Sequence, residues 1–330
     1  MVEYSMATTL RLGLVCISEL LRESEKLSAK TMTRALFLKE DRTTAIQKLS
    51  SRVLHNTVVI RRVLEHCHSL GIAHYRISDT LAPLVTEPNV NISLESLPDF
   101  DQIRENLASA GHYARRVGIS LSSHPGQFNV LASYNPNVVD NTIRELNHIS
   151  KIMDMLGCPQ SYAAPMCLHL SVGPKENIET VEEYRHRFLK ALHRCDTGVQ
   201  HRLVLENEDK GYWNCDNLYR VFHQFSALVY DNLHDACNPS PDSCDWATLF
   251  KETWRHYTPV FHWSEGIDGS NRHTDYFSHM PRVVRDNPDV IWECEIKQKD
   301  RAIQQVLNYE KEKQSIKKDQ TRTANLSVVR

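Results

Sequence analysis

Eight short runs of apolar, largely β-branched residues recur along this chain of 330 residues. Most of the runs are almost continuously apolar, which is typical of parallel strands that are covered by helices on both faces. We therefore interpret each run as a buried strand. The predicted strands cover residues 10–18, 72–78, 119–123, 166–172, 202–207, 227–233, 259–265 and 290–296.

Helical spacing of apolar residues separates these strands. Val139, Ile143 and Leu146 follow one another at intervals of three or four residues, which places them on one face of a helix. A second such pattern ends before Gly71, a residue suited to a helix C-terminus. Eight strand–helix units predict an α/β fold, a single (β/α)8 TIM barrel over residues 1–309, with the active site at the carboxyl ends of the strands. A doubly wound open sheet is the alternative.

Two segments do not fit the alternation. Residues 22–48 are polar and charged, and they predict a long first strand-to-helix segment at about 19–51 that forms a loop or an irregular helix. Residues 310–330 are mostly polar and predict a solvated, flexible C-terminal tail. Contact of that tail with DNA is the alternative interpretation.

Composition limits the cellular setting. The sequence contains no run of 18 apolar residues, so we expect no membrane span. Its first 14 residues lack the pattern of a secretory signal. The nine cysteines are scattered without a CxxC pair, which favours a reducing cytoplasm, including the nucleoid, over secretion. A net charge of −2 weakens a prediction of DNA binding without excluding it, because charge can be segregated and bound cations add their own positive field.

Histidines and acids cluster where the predicted strands end. In a barrel these ends converge on one face, so the side chains are expected to share a pocket. Buried charges are costly unless they are paired or bound to metal, and this mixture of donors favours manganese or zinc. Eight donors exceed one site, so two or three ions are predicted, whereas His74 is interpreted as a core residue. The predicted ligands are His124, His169, Glu206, Asp231, His234, His262, His273 and Glu295.

A pocket with several metal ions suits phosphodiester hydrolysis, because paired ions can activate water and stabilise the attacking and leaving oxygens. The same donors also serve metal-dependent sugar isomerases. The strand-end pattern alone does not separate these two classes.

The motifs at the strand ends resemble those of the UV damage endonuclease family. The resemblance covers roughly residues 10–305 in order, and HPGQF at 124–128 followed by the later metal-ligand residues is its most specific part. The other matching motifs are RLG at 11–13, YRIS at 75–78, HL at 169–170, LEN at 205–207, Asp231 with His234 and NP at 238–239, HWSE at 262–265, HTD at 273–275 and EIKQKD at 295–300.

The resemblance implies an enzyme that nicks duplex DNA on the 5′ side of cyclobutane dimers and 6–4 photoproducts, and often of abasic sites, leaving a 3′-hydroxyl and a 5′-phosphate. A metal-bound hydroxide would be the nucleophile. It also implies that Gln127 and Phe128 probe the lesion and that the eight predicted ligands match the family's ligands one by one. Mn²⁺ is the expected cofactor, with Zn²⁺ or Mg²⁺ as alternatives, and the enzyme is expected to act as a monomer. The expected catalytic residues are Glu206, His234, Glu295 and Lys297.

Three positions depart from the family pattern. The family commonly has a metal-bridging lysine two residues before the histidine of the seventh strand, where this chain has Val260. A second histidine is replaced by Asp235, and a frequent tyrosine by Leu14. The alternatives are an abasic-site endonuclease of the endonuclease IV kind, a metal-dependent sugar isomerase and, because Val260 replaces the lysine, a damage-binding protein without catalysis.

Overall fold

The computed structural model describes residues 10–241 and 244–328, and for residue 314 and residues 316–328 it describes the backbone only. Within these residues eight parallel strands form one sheet. Each lies inside one of the eight apolar runs, because a strand covered on both faces requires apolar side chains along its length. The strands are β1 Arg11–Val15, β2 His74–Ile77, β3 Ser120–Ser123, β4 Met166–Leu168, β5 Leu203–Glu206, β6 Ala227–Val229, β7 Val260–Ser264 and β8 Ile291–Glu295.

The order of the strands closes the sheet into a barrel. Hydrogen-bonded neighbours follow the order β6-β5-β4-β3-β2-β1-β8-β7, so β6 and β7 are the two ends. These ends meet through a parallel bridge between Asp231 and His262, and the His262 N–H donates to the Tyr230 carbonyl at 2.9 Å. The predicted (β/α)8 barrel is confirmed, and the open doubly wound sheet is wrong, because its strand order would reverse in the middle of the sheet.

Helices connect the strands on the outside of the barrel. Two of them end at glycines with left-handed backbones, Gly71 with φ of 80° and Gly118 with φ of 75°. The helices are α1 Glu19–Ser24, α2 Arg34–Leu38, α3 Arg42–Leu70, α4 Phe100–Val117, α5 Pro136–Met155, α6 Val181–Leu192, α7 Thr197–Arg202, α8 Cys215–Phe222, α9 Asn232–Cys237, α10 Trp246–Thr253, α11 Arg282–Asp286 and α12 Lys299–Val328.

The long first strand-to-helix segment contains α1, α2 and the first turns of α3. Helix α3 has 29 residues, which corresponds to about 44 Å and exceeds the height of the strands. The Asn56 amide fastens the segment to this helix: it accepts the Lys30 N–H at 2.7 Å and donates to the Leu81 carbonyl at 2.9 Å. Much of the predicted loop is thus short helix held against α3.

The C-terminal tail continues α12 as far as Val328. The flexibility predicted for residues 310–330 stays a prediction, and residues 329–330 lie outside the described part of the chain. Among the helices of the described residues, none combines the length and the apolar character that a membrane span requires.

A buried arginine fixes the entry to β5. Arg202 is the last residue of α7, and its guanidinium is fully buried. It donates to the Ser150 hydroxyl at 2.8 Å, to the Cys158 carbonyl at 2.8 Å and to Asp154 Oδ1 at 2.5 Å. These bonds tie α7 to α5 and to the loop that follows it, so they hold the start of the strand that ends at Glu206.

Candidate metal centre

Glu206 is the centre of the cluster at the barrel mouth. It is the last residue of β5 and is only 1% exposed. Its Oε2 lies 2.9 Å from His124 Nε2, and its Oε1 lies 2.9 Å from His262 Nδ1 and 3.0 Å from His234 Nδ1. His169 Nε2 is 3.4 Å from Oε2. One carboxylate therefore brings four imidazoles from separate elements together.

The barrel itself places these rings. His124 and His169 are the first residues after β3 and β4, and His262 lies within β7 near its carboxyl end. Parallel strands end on the same face of a barrel, which explains why residues far apart in sequence converge.

Asp231 positions the histidine of α9. It is the N-cap of that helix, and its Oδ1 accepts the N–H groups of Leu233 at 2.7 Å and His234 at 2.8 Å. Its Oδ2 accepts the Ser264 hydroxyl at 2.9 Å. This capping arrangement orients the first turn of α9 so that His234 points toward Glu206.

Glu295 forms the opposite side of the cluster, at the end of β8. Its Oε1 accepts a bond from Arg76 at 2.5 Å and lies 3.5 Å from His262 Nδ1. Its Oε2 is 3.8 Å from His273 Nε2. His273 is held on the loop after β7 by an antiparallel bridge to Gly266.

The buried acids and imidazoles of this cluster shift one another's pKa values. Burial would raise the pKa of Glu206, but His262 and His169 lower it more, so the pKa lies well below its ordinary value. Burial lowers the pKa of His234, but Asp231 and Glu206 raise it more, to about 11. In contrast, burial dominates at His169 and lowers its pKa to about 4. The raised pKa of His234 means that a proton on this ring offsets the charge of the buried carboxylates, a role that a divalent cation can take over.

The donor atoms fit divalent metal ions. Within the described residues, three groups have ligand atoms that all lie within 4.8 Å of one another. Glu206, Asp231 and His262 each belong to two of the three groups, so metal sites built from these groups would be adjacent. Imidazole and carboxylate donors suit zinc and manganese. The groups are His124, Cys167, Glu206 and His262; Glu206, Asp231 and His234; and Asp231, His262 and Glu295.

Three residues of this region were missed from the sequence. The Cys167 thiol lies 3.4 Å from Glu206 Oε2. Glu293 is 1% exposed, and Arg76 reaches both it, at 2.9 Å, and Glu295. The period of two in a strand could have indicated Cys167 and Glu293, because each lies two residues before a predicted ligand and so faces the same side.

The model of the family described as UV-endonuclease UvdE matches residues 10–325. The chain belongs to this family. It is 28% identical over 303 residues to the UV DNA damage endonuclease of Nostoc sp., with 88% of each chain covered. It is 27% identical over 310 residues to the UV-damage endonuclease of Schizosaccharomyces pombe. This alignment covers 89% of this chain and 49% of the yeast protein. The crystal structure of SacUVDE shares the fold, with a TM-score of 0.76 and 23% identity over 92% of this chain and 98% of that one.

The fold of this UV-endonuclease family member brings all eight predicted ligands to the barrel mouth. Six of them belong to the three donor groups, whereas His169 and His273 lie beside these groups, within 3.4 Å of Glu206 and 3.8 Å of Glu295. Lys297 is different: its side chain is half exposed, and its ammonium is 3.9 Å from Asp275 Oδ1. His74 lies in the core as predicted, and both of its ring nitrogens have hydrogen-bond partners.

The predicted lesion-probing residues occupy a tight turn after β3. The Asn129 N–H donates to the Gly126 carbonyl at 3.0 Å, so Gln127 and Phe128 are the two central residues. The Phe128 side chain is 84% exposed. The Ser171 hydroxyl braces the turn by donating to the Gln127 carbonyl at 3.3 Å. A large apolar ring is therefore presented to solvent beside the metal-ligand cluster.

Val260 is buried at 5% exposure at the start of β7, two residues before His262. The cationic group that the fold places beside His262 is instead Arg76, whose Nη1 lies 3.4 Å from His262 Nε2. Asp235, where the family often has a histidine, accepts the Tyr230 hydroxyl at 2.9 Å. Asp235 thus holds the aromatic residue that precedes Asp231.

Proposed function

We propose that this protein is a metal-dependent endodeoxyribonuclease that nicks DNA on the 5′ side of UV photoproducts and leaves a 3′-hydroxyl and a 5′-phosphate. Cyclobutane dimers and 6–4 photoproducts are the proposed substrates, and abasic sites a further one. The observation that carries the proposal is the carboxylate of Glu206, surrounded by four imidazoles at the mouth of a barrel whose sequence belongs to the UV-endonuclease family.

The proposed ligands of two or three divalent ions, Mn²⁺ above all, are the eight residues named from the sequence. Bound there, such ions would polarise a phosphodiester and acidify a water molecule. The protein's own contribution is to hold the donors. Asp231 is fixed by the N–H groups it caps and by Ser264, and Glu295 is fixed by Arg76. Donors that are held in place need no rearrangement when the phosphodiester arrives.

Damage recognition is assigned to Gln127 and Phe128. A damaged base pair stacks poorly, so opening the helix there costs less than elsewhere. An exposed ring at the tip of a braced turn can replace the lost stacking, and the Gln127 amide can bond to the unpaired base edges. The ring is already exposed before binding, so no apolar contact is broken when it inserts.

A plasmid assay tests the reaction. Supercoiled plasmid, irradiated or not, is incubated with the protein and Mn²⁺, and conversion to the nicked form is measured. We expect nicking of the irradiated plasmid only, and loss of nicking in Glu206→Ala. Glu145→Gln is the control, because Glu145 is a partly buried carboxylate on α5, away from the cluster, that accepts a hydrogen bond from the Thr86 hydroxyl. Equal nicking of both plasmids would contradict damage specificity.

Lesion range and cleavage position require defined substrates. Duplex oligonucleotides with one cyclobutane dimer or one abasic site, labelled at either end, report the position and chemistry of the cut. A cut 5′ to the dimer with a 3′-hydroxyl that a polymerase extends supports the proposal. Cleavage at the abasic site alone would instead support an enzyme of the endonuclease IV kind.

We also propose that the protein acts as a monomer in the cytoplasm or nucleoid and that Lys297 contacts the DNA phosphates. Its side chain is half exposed, and its ammonium lies 3.9 Å from Asp275 Oδ1. Light scattering with and without a damaged duplex tests the oligomeric state. Lys297→Ala should raise KM more than it lowers kcat, since a phosphate contact acts on binding.

A further inference from the structure

Glu293 is a fully buried carboxylate beneath the candidate metal centre. Its Oε2 lies 2.9 Å from Arg76 Nη1, and its Oε1 lies 2.9 Å from His74 Nε2. It also accepts the Ser122 hydroxyl and lies 3.3 Å from His262 Nε2. None of the three donor groups found among the described residues includes it. This charge is buried at some cost and requires a reason beyond metal ligation.

The two ring nitrogens of His262 face different carboxylates. Nδ1 lies 2.9 Å from Glu206, on the side of the predicted ions, and Nε2 lies 3.3 Å from Glu293, on the side of the barrel interior. Arg76 Nη1 is 3.4 Å from the same Nε2 and can donate to it only while Nε2 carries no proton, so the tautomer of His262 decides between these two partners. A histidine that binds a metal through one nitrogen usually donates its other N–H to a carboxylate, which fixes the tautomer and the direction of the ring. Glu293 stands in the place of that second carboxylate.

Arg76 links this buried carboxylate to a predicted ligand. Its guanidinium is 2.9 Å from Glu293 Oε2 and 2.5 Å from Glu295 Oε1. The two acids lie two residues apart on β8 and therefore face the same side. One cation thus neutralises the interior carboxylate and orients Glu295.

Gly13 on β1 leaves space for the buried side chains around Glu293. A Cβ atom on Gly13 would lie 3.0 Å from His74 Cδ2 and 3.4 Å from Glu293 Cα. Glycine on β1 therefore permits the imidazole of His74 to fit beside Glu293. Ser120 holds the other nitrogen of that ring, with its hydroxyl 2.7 Å from Nδ1.

We propose that Glu293 is a positioning residue of the metal centre: it accepts the Nε2–H of His262, so that the Nδ1 lone pair is directed at the metal, and through Arg76 it fixes Glu295. The inference rests on the proposed metal dependence. A purely structural ion pair would stabilise the fold but would not affect metal affinity or the tautomer of His262.

Two substitutions at position 293 separate orientation from charge. Glu293→Gln keeps an oxygen that can accept the His262 N–H, whereas Glu293→Met has a similar length and no strong acceptor. Mn²⁺ is titrated into the metal-free proteins by calorimetry, with circular dichroism as the check on folding. We expect Glu293→Met to lose about 10- to 100-fold in Mn²⁺ affinity, and Glu293→Gln to lose less. Wild-type affinity in a folded Glu293→Met protein would overturn the proposal.

A pair of serines provides a matched control that leaves the ion pair intact. Ser122 contacts both Glu293 and His74, whereas Ser120 contacts only His74 of these two. Both serines lie on β3 and differ from alanine by one oxygen. Ser122→Ala should lower the Mn²⁺ affinity about fivefold, the loss expected for one hydrogen bond, and Ser120→Ala should leave it within about twofold. Equal effects of the two changes would contradict a role of Glu293.

The unaltered protein supplies a test that needs no variant of the network. In ¹⁵N-histidine spectra of the Zn²⁺-loaded protein, His262 should carry its proton on Nε2 and none on Nδ1; His262→Gln assigns the signals. Protonation on Nδ1 instead would overturn the inference. If wild-type protein binds neither Mn²⁺ nor Zn²⁺, the proposed metal dependence fails and the inference with it. If it binds them and Glu293→Met does so equally well, only the inference fails.

Discussion

His124 Nε2 and Glu206 Oε2 lie 2.9 Å apart although the two residues are 82 positions apart in the sequence. The contact joins the ends of β3 and β5 across the barrel mouth. Nothing local in the chain favours it; it results from the closure of the sheet. The reactivity of this site therefore depends on the barrel as a whole.

Metal removal should affect stability as well as nicking. A ligand that binds only the folded protein stabilises it, by about 2.7 kcal/mol at a concentration 100 times its Kd. We expect EDTA to abolish nicking, and Mn²⁺ to restore it and raise Tm. In Glu206→Gln the rise should be much smaller, because Glu206 belongs to two of the three donor groups. A full rise in that variant, measured by calorimetry, would place the ions elsewhere.

Phe128→Ala should separate recognition from stability. The side chain is 84% exposed, so its removal should change the free energy of unfolding by no more than about 0.5 kcal/mol. Nicking of irradiated plasmid should fall at least about tenfold, because stacking on one base contributes about 1–3 kcal/mol. Phe225→Ala is the control: that ring is 47% exposed between α8 and β6, at the other end of the barrel. A similar loss in both variants would contradict the assignment.

Arg202→Met should strongly destabilise the protein. The guanidinium is buried and donates to five oxygen atoms, including two carbonyls beyond α5. Removing it leaves these acceptors without their donor, at a cost of about 3–5 kcal/mol. Urea unfolding measures the change. Arg194→Met, at an exposed arginine that pairs with Asp140, should cost less than about 1 kcal/mol.

The contribution of His148 to stability should decrease as the pH falls from 7.5 to 5. Burial lowers the pKa of this histidine to about 4 from 6.5. Between these values the unfolded chain binds a proton that the folded protein does not, so stability decreases as the pH falls. In His148→Leu the loss on going from pH 7.5 to 5 should be smaller by about 2 kcal/mol, by the usual conversion of pKa into free energy. An identical pH dependence in both proteins, measured by denaturant titration, would show that folding does not shift the pKa of His148.

The sequence predicted the barrel because each of its strands requires an uninterrupted apolar run, and this requirement is local. The eight ligand candidates were likewise accessible, since they stand at the ends of those runs. The period of two could place Glu293 on the same side as Glu295, but the role of Glu293 and Arg76 could not be predicted, because it depends on partners that lie on other strands. Their pairing at 2.9 Å depends on the register of β1, β2 and β8, which no single strand determines.

The long first segment shows another limit. Its polar composition predicted a loop or an irregular helix without locating α1 and α2, because they have six and five residues, too few for a periodic pattern to be distinguished from a loop. Lys297 was selected for its place in a motif. Its ammonium nevertheless lies by Asp275, outside the donor groups found in the described residues.

The seam between β6 and β7 is where the two ends of the sheet meet and close the barrel. In the described residues the pairing across this seam is the bridge of Asp231 with His262, and Asn232 adds hydrogen bonds to the backbone of Ser264. Asp231 and His262 also belong to one donor group. An ion held by that group would join the two edges of the sheet, and its loss would let them separate more often. Amide hydrogen exchange in β6 and β7 should therefore slow when the metal site is occupied, and this can be measured without substrate.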